Sequence, residues 1–329
     1  MSDQTFKAFV VEESEGGFTS SIQDKKISDL PENELLVKVE YSSLNYKDAL
    51  SASGNKGVTR KFPHTPGIDA VGVVVSDASD TFSPGDVVIV TSYDLGMNTD
   101  GGFAEYIRVP AAWALVLPQG MTKQQAMMFG TAGLTAAQSV AALCEKISPD
   151  AGEILVTGAT GGVGSLAVSI LAKLGYKVCA LTGKASAHDF LMGLGADSVI
   201  DRNEFVKDMD RPLLKPRWAG VVDCVGGDIL STAIKSAQPL AVITCCGMVG
   251  SPDLSITVFP FILRGVQLVG IDSQSCPMAL REKLWMNLAG PWKPEGLSSF
   301  VKTVKLEQLA KSIENILAGK QQGRTLVEL

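Results

Sequence analysis

The stretch Ile154-Leu155-Val156-Thr157-Gly158-Ala159-Thr160-Gly161-Gly162-Val163-Gly164-Ser165 decides how this chain is read. A short apolar run ends in a glycine-rich turn. An apolar segment follows, with Leu166, Ile170, Leu171 and Leu174 at helical spacing. Strand, glycine turn and helix in that order form the unit that holds a dinucleotide. Each glycine has a physical task. Gly158 permits the tight turn, and Gly161 lets backbone N–H groups approach a pyrophosphate with no Cβ in the way. Gly164 lets the helix pack close to the strand. The pyrophosphate then sits at the positive end of that helix.

The residues that follow bear on which dinucleotide is bound. Lys177–Thr182 reads as the next parallel strand. A site for NAD carries Asp or Glu at that strand's end, to hold the ribose 2′-hydroxyl. Here the end reads Thr182-Gly183-Lys184, with Arg202 further on. A carboxylate would repel a 2′-phosphate, whereas Lys and Arg neutralise it, so the pattern favours NADPH over NADH. The alternative is that Lys184 is a solvated loop lysine.

The chain has 329 residues, enough for one large domain or two ordinary ones. Lys plus Arg number 29 and Asp plus Glu 35, a formal charge of −6. That balance argues against a bulk nucleic-acid binder, though not against a local basic pocket for an anionic ligand. The cysteines are Cys144, Cys179, Cys224, Cys245, Cys246 and Cys276, mostly in apolar runs and with no C-x-x-C pair. They read as reduced core residues of a cytosolic, cytoplasmic protein. Met1-Ser2-Asp3-Gln4-Thr5 shows no basic region followed by an apolar stretch, so no signal peptide is expected. No apolar run reads as long enough to span a membrane.

Up to about Gly120 the chain reads as mostly β. Phe6–Val11, Glu34–Tyr41, Val71–Val75, Asp86–Val90 and Gly101–Ile107 are strand-like, with a turn at Pro84-Gly85-Asp86. Thr122-Lys123-Gln124-Gln125 has capping-box spacing and opens an alanine-rich helical stretch to about Cys144, interrupted by Gly130-Thr131-Ala132-Gly133. Beyond the dinucleotide stretch come strands at Ser198–Ile200, Gly220–Val225, Ala241–Cys245 and Gln267–Ile271, the earlier ones alternating with helical segments. Alternation of this kind builds a doubly wound parallel sheet. Leu306–Leu317 has an amphipathic helical period, and Gly323–Leu329 reads as a final strand returning to the first domain.

In this order the motifs resemble the medium-chain dehydrogenase/reductase superfamily. They are Pro66-Gly67-Ile68-Asp69 with Gly72, Pro84-Gly85-Asp86-Val87-Val88, Gly101-Gly102-Phe103-Ala104-Glu105-Tyr106, Gly130-Thr131-Ala132-Gly133-Leu134-Thr135-Ala136 and Gly158–Gly164. The resemblance implies an α/β chain with two domains. A GroES-like, mostly-β catalytic domain would cover 1–122, completed by about 290–329. A Rossmann doubly wound parallel-sheet domain for NADPH would cover 123–289. Zinc alcohol dehydrogenases of the superfamily carry an early Cys ligand and a Gly-His-Glu segment. The corresponding places here read Asn45-Tyr46-Lys47-Asp48 and Gly67-Ile68-Asp69. Zinc takes Cys or His ligands, and of the two histidines His64 lies among prolines and His188 in the Rossmann half. Both read as ordinary polar residues, and no metal is expected.

Within the zinc-free branch, Ser43-Leu44-Asn45-Tyr46-Lys47-Asp48-Ala49-Leu50 with Phe62-Pro63, Ile271-Asp272-Ser273 and Gln322-Gly323-Arg324-Thr325-Leu326-Val327 resemble the acryloyl-CoA reductases, a quinone oxidoreductase-like group. The resemblance implies NADPH-dependent reduction of acryloyl-CoA to propanoyl-CoA, and a homodimer joined through the sheet edge near Val266–Ile271. It also implies that Tyr46, Thr135, Thr160, Gly162, Val163, Met248, Ile262, Ser273 and Arg324 meet the cofactor beside Gly158, Gly161, Gly164, Thr182, Gly183, Lys184 and Arg202.

Reducing an activated alkene puts hydride on the β-carbon, negative charge on the thioester oxygen and then a proton on the α-carbon. Tyr46, with Asn45 and Asp48 beside it, is the candidate catalytic group. Tyr46 either donates or orients a proton, or only packs against the nicotinamide ring. Asn45 and Asp48 suit turn hydrogen bonds that fix the loop. Lys47 either meets an acidic ligand group or is solvated. Lys56, Arg60 and Lys61 form a local basic cluster, either a solvated charge run or the site for the nucleotide end of CoA. Two rival functions stand beside this one: a quinone or free-enone oxidoreductase, and an NADPH-binding protein without turnover, in the manner of the zeta-crystallins.

Overall fold

The computed structural model describes residues 4–207 and 209–329. Met1, Ser2 and Asp3, read above for a leader, lie outside the described residues. The chain divides into two units. One comprises the residues up to Thr131, Gln274–Ala289 and Gly296–Leu329. The other comprises Ala132–Ser273 and Gly290–Glu295.

The unit beginning at Ala132 holds a six-stranded sheet. Its spatial order is Ser198–Asp201, Lys177–Thr182, Glu153–Val156, Trp218–Asp223, Ala237–Cys245 and Gln267–Gly270. Every pairing is parallel. Numbered along the chain this is the order 3-2-1-4-5-6 of a dinucleotide fold, with the direction reversing beside Glu153–Val156. The apolar runs seen in the sequence follow from burial on both faces. Leu155, Leu181, Trp218, Val221, Ile234 and Ile243 form one core cluster. The strand expected to reach Val225 stops at Asp223. The buried Asp223 carboxylate accepts the N–H groups of Val225 and Gly226, at 3.3 and 2.8 Å, and bends the chain away.

The other unit is mostly β, with a seven-stranded sheet and a separate hairpin. The organising strand is Leu35–Leu44. One of its edges pairs with Asp69–Asp77; the other takes Tyr106–Val109 along its first half and Arg324–Glu328 along its second. Leu35, Val37, Val39, Val74, Val88 and Ile107 fill the core beneath it. The hairpin joins Thr5–Ser14 to Gly17–Lys26. Its second strand escapes a reading by hydrophobic pattern because Thr19, Ser20, Ser21 and Gln23 interrupt it. Of the expected strand Gly101–Ile107 only the end survives, as Tyr106–Val109. Gly101 and Gly102 form a packing corner instead, where a Cβ on Gly102 would stand 2.0 Å from the Asp69 carbonyl oxygen.

The sequence boundaries, 122 and about 290, differ from the observed ones at Thr131 and Gln274. Polar contacts explain both. Thr131 donates its N–H and its hydroxyl to Asp69, and Met128 accepts from Arg324 through its carbonyl. Further on, the buried Arg281 donates to the carbonyl and hydroxyl of Thr91 at 2.9 and 2.8 Å. The capping box at Thr122 and Gln125 is present, with both bonds at 3.1 Å. Contrary to the sequence reading, Lys123–Cys144 has the length and apolarity of a membrane span. It is broken at Gly130, where φ is 53°, and 67% of its most apolar window is buried within the protein, as in a core helix.

Candidate functional site

The glycine-rich turn takes the form its residues dictate. Gly158 has φ 57° and its carbonyl accepts the Gly161 N–H at 2.9 Å. The helix Gly162–Lys173 then starts from Gly161, with no side-chain cap. Its first N–H groups are therefore available to an anion. Gly164 cannot be larger: a Cβ there would lie 2.3 Å from the Gly158 oxygen and 2.8 Å from the Ala159 Cα. Thr160 is buried and Gly162 and Val163 are half-buried. Thr157 locks the turn to the neighbouring strand, donating from its hydroxyl to Asp223 at 2.7 Å and accepting the Cys224 N–H at 3.0 Å. Burial raises the Asp223 carboxyl above its usual range.

At the end of the next strand, Thr182 and Asp201 are register partners. Arg202 is thereby brought beside Thr182-Gly183-Lys184. A Cβ on Gly183 would stand 3.0 Å from the Arg202 guanidinium, so the glycine makes room for that side chain. Lys184 donates its backbone N–H to the Thr182 hydroxyl at 3.1 Å, and partial burial lowers its ammonium pKa. Arg202 also lines a cavity of about 430 Å³ together with Val225, Gly226, Asp228 and Ser251.

The remaining residues expected at the cofactor separate into groups. Thr135 and Ser273 meet directly, hydroxyl to hydroxyl at 2.8 Å. Met248 is 71% exposed, with its Cα 3.2 Å from where a Gly226 Cβ would stand. Ile262 is 72% exposed on the helix Phe259–Arg264. Arg324 requires correction. It belongs to the other unit and is buried, donating to Met128 O, Leu44 O, Asn45 Oδ1 and Ser43 Oγ at 2.8–3.2 Å. Its guanidinium is committed inside the protein rather than presented to a ligand.

Ser43 and Asn45 link Arg324 to a buried pair of acids. Asp69 accepts from Ser43 Oγ at 2.6 Å, Asn45 Nδ2 at 2.7 Å and both the N–H and hydroxyl of Thr131. Asp48 accepts the N–H groups of Asn45 and Ile68 at 2.7 and 2.8 Å. Burial, then the Asp69 charge, push its carboxyl up to about 7. A Cβ on Gly130 would stand 2.4 Å from both Asp69 Oδ2 and Ser43 Oγ, so only glycine fits against the cluster. Asn45 and Asp48 form the capping box of the helix Tyr46–Ala52. Both are buried, and their polar atoms are spent internally. The turn hydrogen bonds expected of Asn45 and Asp48 are present, and they fix the start of the helix that carries Tyr46. Tyr46 itself opens that helix and is 43% exposed. Lys47 turns to Gln274, donating to Oε1 at 2.8 Å.

The residues of the basic cluster differ in their contacts. Lys56 pairs with Glu13 at 2.6 Å and lies over the rings of Phe62 and Phe18, at 4.7 and 5.4 Å. Arg60 and Lys61 are exposed, and neither forms a side-chain ion pair among the described residues. His64, expected to be an ordinary polar residue, is buried with Nδ1 3.8 Å from Asp100. Among the described residues no three of His, Cys, Asp and Glu form a group able to hold a metal ion. Sequence reasoning quotes Asp69 in a motif without giving it a role; an acid at the head of an apolar strand was the available signal. It passes over Ser92 and Tyr93, which take φ of 65° and 50°.

Comparison with known proteins adds the following. The family model described as zinc-binding dehydrogenase matches residues 162–289, and that described as alcohol dehydrogenase GroES-like domain matches 31–119. "Putative quinone oxidoreductase YhfP" of Bacillus subtilis is 42% identical over 98% of this chain and 99% of its own. The acrylyl-CoA reductase AcuI of Ruegeria pomeroyi is 40% identical over 98% and 99%. Among solved structures, the yhdH oxidoreductase of Salmonella enterica in complex with NADP superposes with a TM-score of 0.95 at 40% identity, covering 98% and 99% of the two chains. The B. subtilis protein yhfP with NAD bound gives 0.97 at 42%, covering 99% and 100%.

Proposed function

The chain belongs to the medium-chain dehydrogenase/reductase superfamily, in its quinone oxidoreductase-like branch, and from that premise we propose that it is an NADPH-dependent reductase of the carbon–carbon double bond of a short 2-enoyl-CoA, acryloyl-CoA to propanoyl-CoA. The observation that carries the reading is the Arg202 guanidinium set over Gly183 beside Lys184, in a loop with no acid. Two cations there suit a 2′-phosphate. The uncapped helix start and the crowded Gly164 suit a pyrophosphate on the glycine turn. The substrate class is supported by full-length likeness to proteins named acrylyl-CoA reductase.

NADPH, when bound, supplies the hydride. The protein's part is to bind, orient and polarise. Each donor aimed at the developing negative charge on the thioester oxygen is worth about 3 kcal/mol, by analogy with oxyanion holes. Tyr46 is assigned as the group that donates or orients the proton for the α-carbon. Asn45, Asp48, Asp69 and Arg324 hold the turn from which Tyr46 projects. Arg60 and Lys61 are assigned to the CoA phosphates, with Lys56 held back by Glu13. We also assign a homodimer formed along the outer strand Gln267–Gly270, where Leu268, Ile262 and Leu263 are exposed. Sedimentation giving a monomer at micromolar concentration removes that assignment. Six free thiols support a reducing, cytoplasmic setting.

The second reading is an NAD(P)H:quinone oxidoreductase. It is favoured by the 42% identity to YhfP and by the engagement of Lys56 with Glu13. Oxidation of NADPH and NADH, each with acryloyl-CoA, crotonyl-CoA and a benzoquinone, decides between them. The expected result is turnover of acryloyl-CoA with NADPH. Turnover of the quinone alone selects the second reading, and binding without turnover of any acceptor overturns both.

A further inference from the structure

The cysteines are not the uniform core set expected from their apolar surroundings. Only Cys179 and Cys276 are buried; Cys144 is exposed, and Cys224, Cys245 and Cys246 are intermediate. Two of these stand together. Asp223 and Cys245 are register partners on adjacent parallel strands, and Cys224 and Cys246 follow one residue later on each. The Cys246 N–H continues the ladder to the Asp223 carbonyl at 3.0 Å. The two Sγ atoms lie 3.8 Å apart. Adjacent strands run about 4.8 Å apart, inside the range of Cα separations that a disulfide spans.

The pair lies at the carboxyl ends of the strands, where an open α/β sheet takes its ligand. Cys224 donates its N–H to Thr157, the residue before the glycine turn, at 3.0 Å. A Cβ on Gly158 would touch the Cys224 Cβ at 3.4 Å, and one on Gly247 would strike the Cys224 carbonyl oxygen at 2.1 Å. A linkage drawing Cys246 toward Cys224 therefore pulls Gly247 and Met248 onto the turn.

We propose that Cys224 and Cys246 are a thiol pair that a peroxide converts reversibly to a disulfide, closing these strand ends to the dinucleotide. The closing effect rests on the reading that the glycine turn holds the cofactor. The Cys246 sulfur attacks the peroxide: an S–O bond forms, the O–O bond breaks, and a sulfenic acid and one water result. The Cys224 sulfur then displaces the sulfenic oxygen, which leaves as a second water with the Cys224 proton. Two electrons pass from the sulfurs to the peroxide. The hydrogen bond with Cys246, and then burial, raise the Cys224 thiol well above its usual range, which keeps it protonated and leaves the first attack to Cys246. Small thiols reverse the linkage.

The test treats the full-length protein with hydrogen peroxide in a Cys144→Ser background, which removes the exposed thiol. Peptide mapping after alkylation reads the linkage, and fluorescence titration reads NADPH affinity. The expected result is a Cys224–Cys246 linked peptide with affinity weakened about tenfold or more, and restored by dithiothreitol. Bound NADPH should slow the linkage, and Cys224→Ser and Cys246→Ser should each keep their affinity through the same treatment. Absence of the linked peptide overturns the proposal, as does equal loss of affinity in either serine variant. A linked peptide with unchanged NADPH affinity overturns the closure. If the reduced protein fails to bind NADPH at all, the cofactor reading fails, and the peptide map still decides the disulfide.

Discussion

Replacing Asp48 with asparagine isolates the cost of burying an acid beneath Tyr46. Asp48 is wholly buried, and burial first and the Asp69 charge second move its carboxyl from an ordinary 3.8 to about 7. A carboxyl raised in the folded state binds its proton more tightly there than in the unfolded chain. Its contribution to stability is therefore fully present below 3.8 and is lost as pH rises through about 7. Each tenfold change in proton affinity is worth about 1.4 kcal/mol, so the loss across this window is about 4 kcal/mol. Asparagine cannot ionise and escapes that loss. It carries instead a fixed cost of about 1–3 kcal/mol, because its NH2 group turns a donor toward the N–H of Asn45 or Ile68. Asp48→Asn should thus be the less stable protein near pH 4 and match or exceed the wild type near pH 8. Urea denaturation of both proteins at a series of pH values measures the crossover. Carboxyl NMR on aspartate-labelled protein reads the same proton directly. A stability difference that stays constant within about 1 kcal/mol from pH 4 to pH 8 refutes the reasoning.

Three further outcomes follow from the site. Lys184→Asp should weaken NADPH binding by about 1–3 kcal/mol through loss of a charge-assisted contact; equal kcat/KM for NADPH and NADH in the unmodified protein removes the premise. Tyr46→Phe keeps the ring and removes the hydroxyl, so NADPH affinity should hold while kcat falls by roughly 10²-fold. An unchanged kcat, with chemistry shown to be rate-limiting, reduces Tyr46 to packing. Gly164→Ala places a methyl group 2.3 Å from the Gly158 oxygen, and should cost about 1–3 kcal/mol of stability and weaken NADPH binding. A variant with the parent's Tm and NADPH affinity contradicts that.

The dinucleotide unit was legible because its signals are local. An apolar run, three spaced glycines and an apolar helix lie within one short stretch, and the doubly wound sheet follows from repetition of that unit. The mostly-β unit was legible only in outline. Gly17–Lys26 owes its strand to pairing with Thr5–Ser14, not to its own polar pattern. The acid cluster was harder still, since Ser43, Asp69, Thr131 and Arg324 are distant in sequence and only the fold brings them together. Arg324 illustrates the limit of resemblance. Its motif is legible, but whether a guanidinium meets a ligand or buried carbonyl and side-chain oxygens depends on burial, which a motif does not encode. Lys56 differs from Arg60 and Lys61 because its partner Glu13 lies in a strand distant in sequence.

The strand Leu35–Leu44 has one more consequence, for the order in which the protein can be built during synthesis. Half of one edge is filled by Arg324–Glu328, and Arg324 meets Ser43 across 281 residues of chain. Until the ribosome has released that segment, the nascent sheet has an open edge, and Asp48 and Asp69 lack their cation. The strands of the parallel sheet, by contrast, come from one continuous span, Ala132–Ser273, and each can dock as it emerges. The later-encoded unit is thus free to mature first. The earlier-encoded one must wait, its apolar strand exposed to chaperones or to a neighbour's edge.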